Sequence, residues 1–230
     1  MADYHDDRQG TDNLALAVRC SPKSISAYHG LVRELLGSLS SKETAPVVGI
    51  TSASHGSGVT TIAAKLGVTA AEIVTRPALL IDCNANAPDL VNLFDAPVTC
   101  GINEVITGER LLGDCVFPTR INNLLLLGPG TAPFERANAD ETQGWNDLLR
   151  NSSSHLGIVI LDLPPVPELL SEVSSLQGID RLLLVVEAER TRRQAVARAI
   201  SQLERVGVEL SGIVLNKRRN HIPGWIYRKI

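Results

Sequence analysis

The chain has 230 residues, 44% of them apolar and 20% charged, with a formal net charge of −3 at neutral pH. This is the profile of one soluble globular domain with enough apolar material for a full core. The small net charge argues against nucleic acid as a bulk partner, and no window holds the roughly 18 to 20 apolar residues of a membrane-spanning helix. Cys20, Cys83, Cys100 and Cys115 form no CxxC pair and have no histidine at metal-ligand spacing, so they read as reduced, cytosolic thiols.

Residues 1 to 22 are polar and aperiodic and read as an extended arm without a signal-peptide pattern. In "SISAYHGLVRELLGSL", Ile25, Tyr28, Leu31, Leu35 and Leu36 fall at helical spacing, with Ser24 as a candidate cap and Gly37 near the end. "PVVGITS" (46 to 52) follows as a short β-branched run. Further apolar runs of strand length are "ALLID" (78 to 82), "NLLLLG" (123 to 128), "LGIVILD" (156 to 162), "RLLLVVEA" (181 to 188) and "LSGIVLN" (210 to 216). Each is continuous rather than alternating, which predicts burial on both faces of a parallel sheet. Between them, "GVTTIAAKLGVTAAEIV", "ADETQGWNDLLRN", "PELLSEVSSLQ" and "TRRQAVARAISQLERVG" carry helical patterns. Strands alternating with helices predict βαβ units, hence an α/β fold in three layers with a mostly parallel central sheet flanked by helices. One such domain is expected over residues 23 to 217. A short basic tail, residues 218 to 230, then carries Trp225 and Ile226, which suit either a partner or the chain's own surface.

In open sheets of this kind, ligands bind at the carboxyl ends of the strands. The first strand is followed by "TSASHGSGVTT", residues 51 to 61, and then directly by a helix. Gly56 and Gly58 would let backbone N–H groups and the positive helix end approach a phosphate. A phosphate-binding loop normally has a lysine before its hydroxyl residue; here Val59 precedes Thr60. Taken alone, the loop fits a tight strand-to-helix turn equally well. Asp82 and Asp162 close two other strands, each as a magnesium or water ligand or as a structural cap, because a buried carboxylate without a partner is costly.

The succession of this loop, "LLID", "GINEVITGE", "LLLLGPGTAP", "VILDLPPV", "LLLVVEAERT" and "GIVLN" resembles the cytosolic domain of bacterial tyrosine autokinases. These sit within the deviant-Walker class of P-loop ATPases that includes division-site and plasmid-partitioning ATPases. The resemblance spans roughly residues 22 to 217. It implies a P-loop NTPase-like fold and ATP or ADP with Mg²⁺ as ligands. Phosphate would be held by Gly56, Ser57, Gly58, Val59, Thr60 and Thr61, and adenine by Asn216, which also suits a plain strand-ending turn. Mg²⁺ would be held by Thr60, Asp82 and Asp162, the two aspartates being the catalytic carboxylates. The implied partner is a membrane polysaccharide co-polymerase that sets chain length in capsule or exopolysaccharide synthesis. The chain would be cytoplasmic and recruited to the inner membrane face through that partner, with no nucleic acid involved.

Departures from the family pattern fall on its chemistry. Val59 replaces the lysine, Asn84 replaces a second acidic residue, and the arginine pair before Pro88 is absent. The E-x-x-R-x-x-R motif used for ring assembly is replaced by Ser26, His29 and Val32, so self-association would lack its usual charged contact. A single tyrosine, Tyr227, stands where active members carry a tyrosine-rich tail. Phosphoryl transfer depends on cations at the phosphate oxygens, and removing one preorganised group costs about 10² to 10³ in rate. Two residues within the domain could substitute: His55, a loop residue of the kind more often simply solvated, and Lys65, two turns inside the next helix and expected to point elsewhere. The expected function is therefore a catalytically impaired tyrosine-kinase-like subunit of polysaccharide synthesis or export that regulates its co-polymerase. An active tyrosine kinase or ATPase with a non-standard phosphate loop is the first alternative, and a positioning ATPase relative is the second.

Overall fold

A computed structural model describes residues 21–37, 44–85, 88–97, 99–131, 145, 148, 155–170, 176 and 178–218. In chain order the elements are α1 (Pro22–Gly37), β1 (Val47–Ser52), α2 (Val59–Ile73), β2 (Ala78–Asp82), α3 (Asp89–Leu93), α4 (Ile102–Ile106) and α5 (Leu112–Cys115). There follow β3 (Phe117–Pro118), β4 (Leu124–Leu127), β5 (Ile158–Asp162), α6 (Val166–Leu169), β6 (Arg181–Glu187), α7 (Arg193–Arg205) and β7 (Gly212–Asn216).

The strands form one sheet in the order β3-β4-β2-β5-β1-β6-β7. Every pairing is parallel except that of the two-residue β3 with β4. Pro118 is tolerated in β3 because an edge strand can spare an N–H. Alternation along each strand sends Leu80, Ile160, Ile50 and Leu183 toward α1 and α2, and Ile81, Leu161 and Leu184 toward α4, α6 and α7, so that each face of the sheet has its own core. The expected three-layer, P-loop NTPase-like α/β architecture is the one found.

β1, β2 and β5 are buried along their whole length, as their unbroken apolar runs predict. α2 lies close over them because its inner face is built from small residues, Ala63, Ala64, Gly67, Ala70 and Ala71. A Cβ on Gly67 would sit 3.4 Å from a methyl of Leu124, so the helix has no room to come closer.

Several expectations are corrected. β7 is not buried on both faces: it is the sheet edge, and Ile213 and Leu215 are 53% and 56% exposed on the side that α7 leaves uncovered. α1 starts at Pro22, with the hydroxyl of Ser21 accepting the N–H of Ser24 at 3.2 Å, so Ser21 rather than Ser24 caps it. The helical pattern that begins at Thr191 in the sequence is helix α7 only from Arg193; the Thr191 hydroxyl accepts the Glu187 N–H at 3.1 Å. Cys100 and Cys115, read as reduced thiols, are joined in a disulfide with Cα atoms 5.2 Å apart, because α4 and α5 fold the intervening segment back on itself. Cys83 is a free, buried thiol. Of the helix expected over 139 to 151, the described residues Trp145 and Leu148 are helical and buried, while the remainder lies outside the described residues. The same holds for residues 1 to 20, for most of 171 to 177 and for 219 to 230, including Trp225 and Tyr227. Among the described residues, no helix is long and apolar enough to cross a membrane.

Candidate phosphate-binding site

The sheet order puts β1, β5 and β2 side by side, so the loops after these strands share one edge. Asp82 and Asp162 are direct neighbours in register, and Ile50 of β1 pairs with Asp162 on its other side. There the chain encloses a cavity of about 270 Å³, walled by the loop from His55 to Thr61 together with Ser52, Asn84, Asp89, Asp162, Leu163, Pro165 and Lys217. This volume lies below the roughly 300 to 1,000 Å³ of sites that enclose a whole small molecule, so it suits a phosphate group with the rest of its ligand outside.

The loop is shaped by its own hydroxyls and two left-handed glycines. Ser52 and Ser57 both donate to the carbonyl of Ser54, at 2.8 and 2.9 Å, and Thr51 donates to the carbonyl of Pro164 at 2.6 Å. Gly56 and Gly58 have φ of +76° and +89°. A Cβ at Gly58 would also come within 2.5 Å of the Asn216 side-chain nitrogen. α2 begins immediately afterwards with no side-chain cap and no acidic residue in its first turn, which leaves the positive helix end facing the cavity.

Sequence reading and geometry coincide for Gly56, Ser57, Gly58, Val59, Thr60, Thr61 and Asp162, all of which line this cavity. The Thr60 hydroxyl donates to the Asp162 carboxylate. Burial and then the neighbouring Asp82 push the Asp162 pKa well above the ordinary carboxylate range, against the pull of that hydrogen bond. Asp82 stands behind the wall, fully buried, and accepts the N–H groups of Asn84 at 3.0 Å and Leu90 at 3.1 Å. Burial raises its pKa to about 7 in spite of these bonds. Asp82 thus caps the turn that carries Asn84 and Asp89 to the cavity.

Val59 is half-buried and packs against the core on the α2 side. Lys65 is turned away, its ammonium 6.0 Å from the ring centroid of Tyr28. His55 is paired with Glu168 of α6 across the mouth of the site. Asn216 donates to the carbonyl of Ser57 at 2.9 Å and so grips the loop. Two charged residues of the cavity wall, Asp89 and Lys217, are not singled out as site residues by the sequence. Asp89 had a legible signal, an acid opening a short helix just after Pro88; Lys217 had none, because only the sheet brings the end of β7 to the loop.

The three positions of the absent ring motif lie on α1. Val32 is fully buried, the His29 imidazole is 3.4 Å from Glu72, and Ser26 is exposed. The "GINEVITGE" segment has a structural task. Glu104 accepts the N–H of Gly101 at 2.8 Å and both the N–H and the hydroxyl of Thr131 at 2.8 Å, tying α4 to the turn after β4. Burial pushes the Glu104 carboxyl up, but these donors outweigh it and hold the pKa down to about 2.

A magnesium-bound phosphate fits the donor set. Mg²⁺ is usually held by one or two carboxylates together with phosphate oxygens, and Thr60 and Asp162 present a hydroxyl and a carboxylate beside the anion-facing loop. Bound there, Mg²⁺ would supply positive charge to the phosphate oxygens.

No protein-family profile matches the chain. By sequence it is similar to the putative tyrosine-protein kinase CapB of Staphylococcus aureus, 25% identical over 204 residues that cover 88% of this chain and 89% of the relative. It is likewise similar to the tyrosine-protein kinase CpsD of Streptococcus agalactiae, 26% identical over 196 residues, 85% of this chain and 83% of the relative. The chimerical protein CapA2B2 superposes with a TM-score of 0.73 at 23% identity, covering 91% of each chain. The chain is thus a homologue of bacterial tyrosine-protein kinases with a P-loop NTPase-like fold.

Proposed function

We propose that this protein is a catalytically impaired, tyrosine-kinase-like subunit of capsule or exopolysaccharide synthesis that binds Mg-nucleotide weakly and regulates a membrane chain-length co-polymerase. The reading is carried by one observation: at the loop position next to Thr60, a half-buried valine packs against the core where a phosphate-reaching ammonium is needed. The N–H groups of the loop, Thr60 and Asp162 still suit an anion and its metal, so binding and transfer come apart. Loss of the transfer cation is expected to cost about 10² to 10³ in rate, and Asn84 in place of a second acid weakens the metal site further. His29 and Val32, committed to contacts within the chain, stand at two positions where the ring-assembly motif carries arginine. The domain boundaries, cytoplasmic location and recruitment to the inner membrane face belong to the same proposal.

The test is calorimetric titration with Mg-ATP and Mg-ADP alongside assays of ATP hydrolysis and tyrosine autophosphorylation. Weak binding without turnover is expected. Steady turnover that disappears in Asp162→Ala would establish a working kinase or ATPase instead. Co-purification with a two-span co-polymerase from the native host tests the partner.

A further inference from the structure

Among the described residues that line the cavity, Lys217 is the one permanent cation. It follows β7 in a left-handed conformation, φ +55°, held by a hydrogen bond from its own N–H to the Asn216 side-chain oxygen at 2.9 Å. Its ammonium donates to the carbonyl of Gly56 at 2.6 Å and lies 3.4 Å from the Glu187 carboxylate. With Asn216 on the next carbonyl, that of Ser57, the end of β7 holds two consecutive loop carbonyls. In a trans peptide the N–H points opposite to the carbonyl, so the N–H groups of Ser57 and Gly58 face away from β7.

We propose that Lys217 is the cation of the phosphate site, supplying from the end of β7 the charge that position 59 lacks, for a ligand of the nucleoside di- or triphosphate class. This rests on the reading of the loop as a phosphate site. The Lys217 side chain is 46% exposed, so it can move from the loop rim toward a phosphate at little cost in burial. Glu187 would not be left without a cation, because Arg190 lies 3.6 Å from the same carboxylate oxygen. A lysine at this place binds a polyphosphate without standing at the start of α2. Binding is thereby kept while transfer is lost.

Substitution of the full chain separates charge from scaffolding. Lys217→Gln retains an N–H donor for the Gly56 carbonyl but removes the charge; Lys217→Arg retains the charge. Affinities for Mg-ATP, Mg-ADP and inorganic tripolyphosphate are measured by calorimetry at several salt concentrations, with thermal melts to confirm folding. Lys217→Gln is expected to weaken binding about tenfold or more and to flatten its salt dependence, while Lys217→Arg stays within about threefold of the wild type. Lys65→Gln, on the far side of α2, serves as the unaffected control. If the wild type binds and Lys217→Gln matches it in both affinity and salt dependence, the inference is overturned and the loop reading stands. If the wild type binds none of the three probes, the loop reading itself fails and takes the inference with it.

Discussion

Replacing Asp82 with asparagine should be harmful in acid and beneficial in mild alkali. Burial of the side chain, with a smaller push from Asp89, holds this carboxyl at about pKa 7 in the folded chain, against an ordinary value of 3.8. Above pH 5 the unfolded chain has already released the proton, whereas the folded chain keeps it until about pH 7. The unfolded state therefore binds fewer protons, and stability falls as pH rises through this window. At 1.36 kcal/mol per pKa unit, the two units between pH 5 and 7 correspond to about 3 kcal/mol lost by the wild type and not by an uncharged residue. Against this, an asparagine amide can accept only one of the two N–H bonds from Asn84 and Leu90, and the other group is left facing an NH₂ at a cost of about 1 to 3 kcal/mol. Asp82→Asn should thus lower stability at pH 5 and equal or exceed the wild type at pH 8. Urea unfolding at the two pH values measures the change directly. A stability difference that stays the same within about 0.5 kcal/mol at both would show that Asp82 is ionised throughout and refute the argument.

Four other outcomes follow from the same geometry. Asp162→Asn should abolish any rise in melting temperature on adding Mg-ADP, since the Thr60–Asp162 pair is the one proposed to hold the metal; an undiminished rise would place the metal elsewhere. Gly58→Ala should remove tripolyphosphate binding and cost about 1 kcal/mol or more, because φ of +89° is strained for alanine and its methyl would press on Asn216; calorimetry and urea unfolding read both effects. Reducing Cys100–Cys115, which closes a 15-residue separation, should destabilise the protein by about 3 kcal/mol; equal melts with and without reductant would mean the thiols are unpaired. Gly101→Ala should be among the most damaging single changes, because its methyl would overlap the backbone of Gly128 and Gly130; a near-native urea midpoint would contradict the packing of α4.

Much of the fold could be read from the chain because parallel strands buried on both faces leave a local trace, an unbroken apolar run such as "ALLID" or "LGIVILD". The loop was equally legible, since glycines with positive φ and a following helix are local features of residues 56 to 60. β7 misled because "LSGIVLN" has the same composition as an inner strand, and its place at the edge depends on what packs beside it. The Cys100–Cys115 pairing was missed because spacing alone says nothing of how α4 and α5 turn. Asp82 and Asp162 look alike in sequence, yet one lines the cavity and the other caps a turn, a difference set by the 83 to 89 loop folding over a single strand end.

By itself the sequence determined the alternation of strand and helix, the glycine-bearing turn after β1 and the valine before Thr60, since each is written in neighbouring residues. The tertiary structure alone decided which cation lies against that turn. Gly56 and Lys217 are 161 positions apart, and only a sheet that places β6 and β7 beside β1 carries the ammonium to that loop carbonyl.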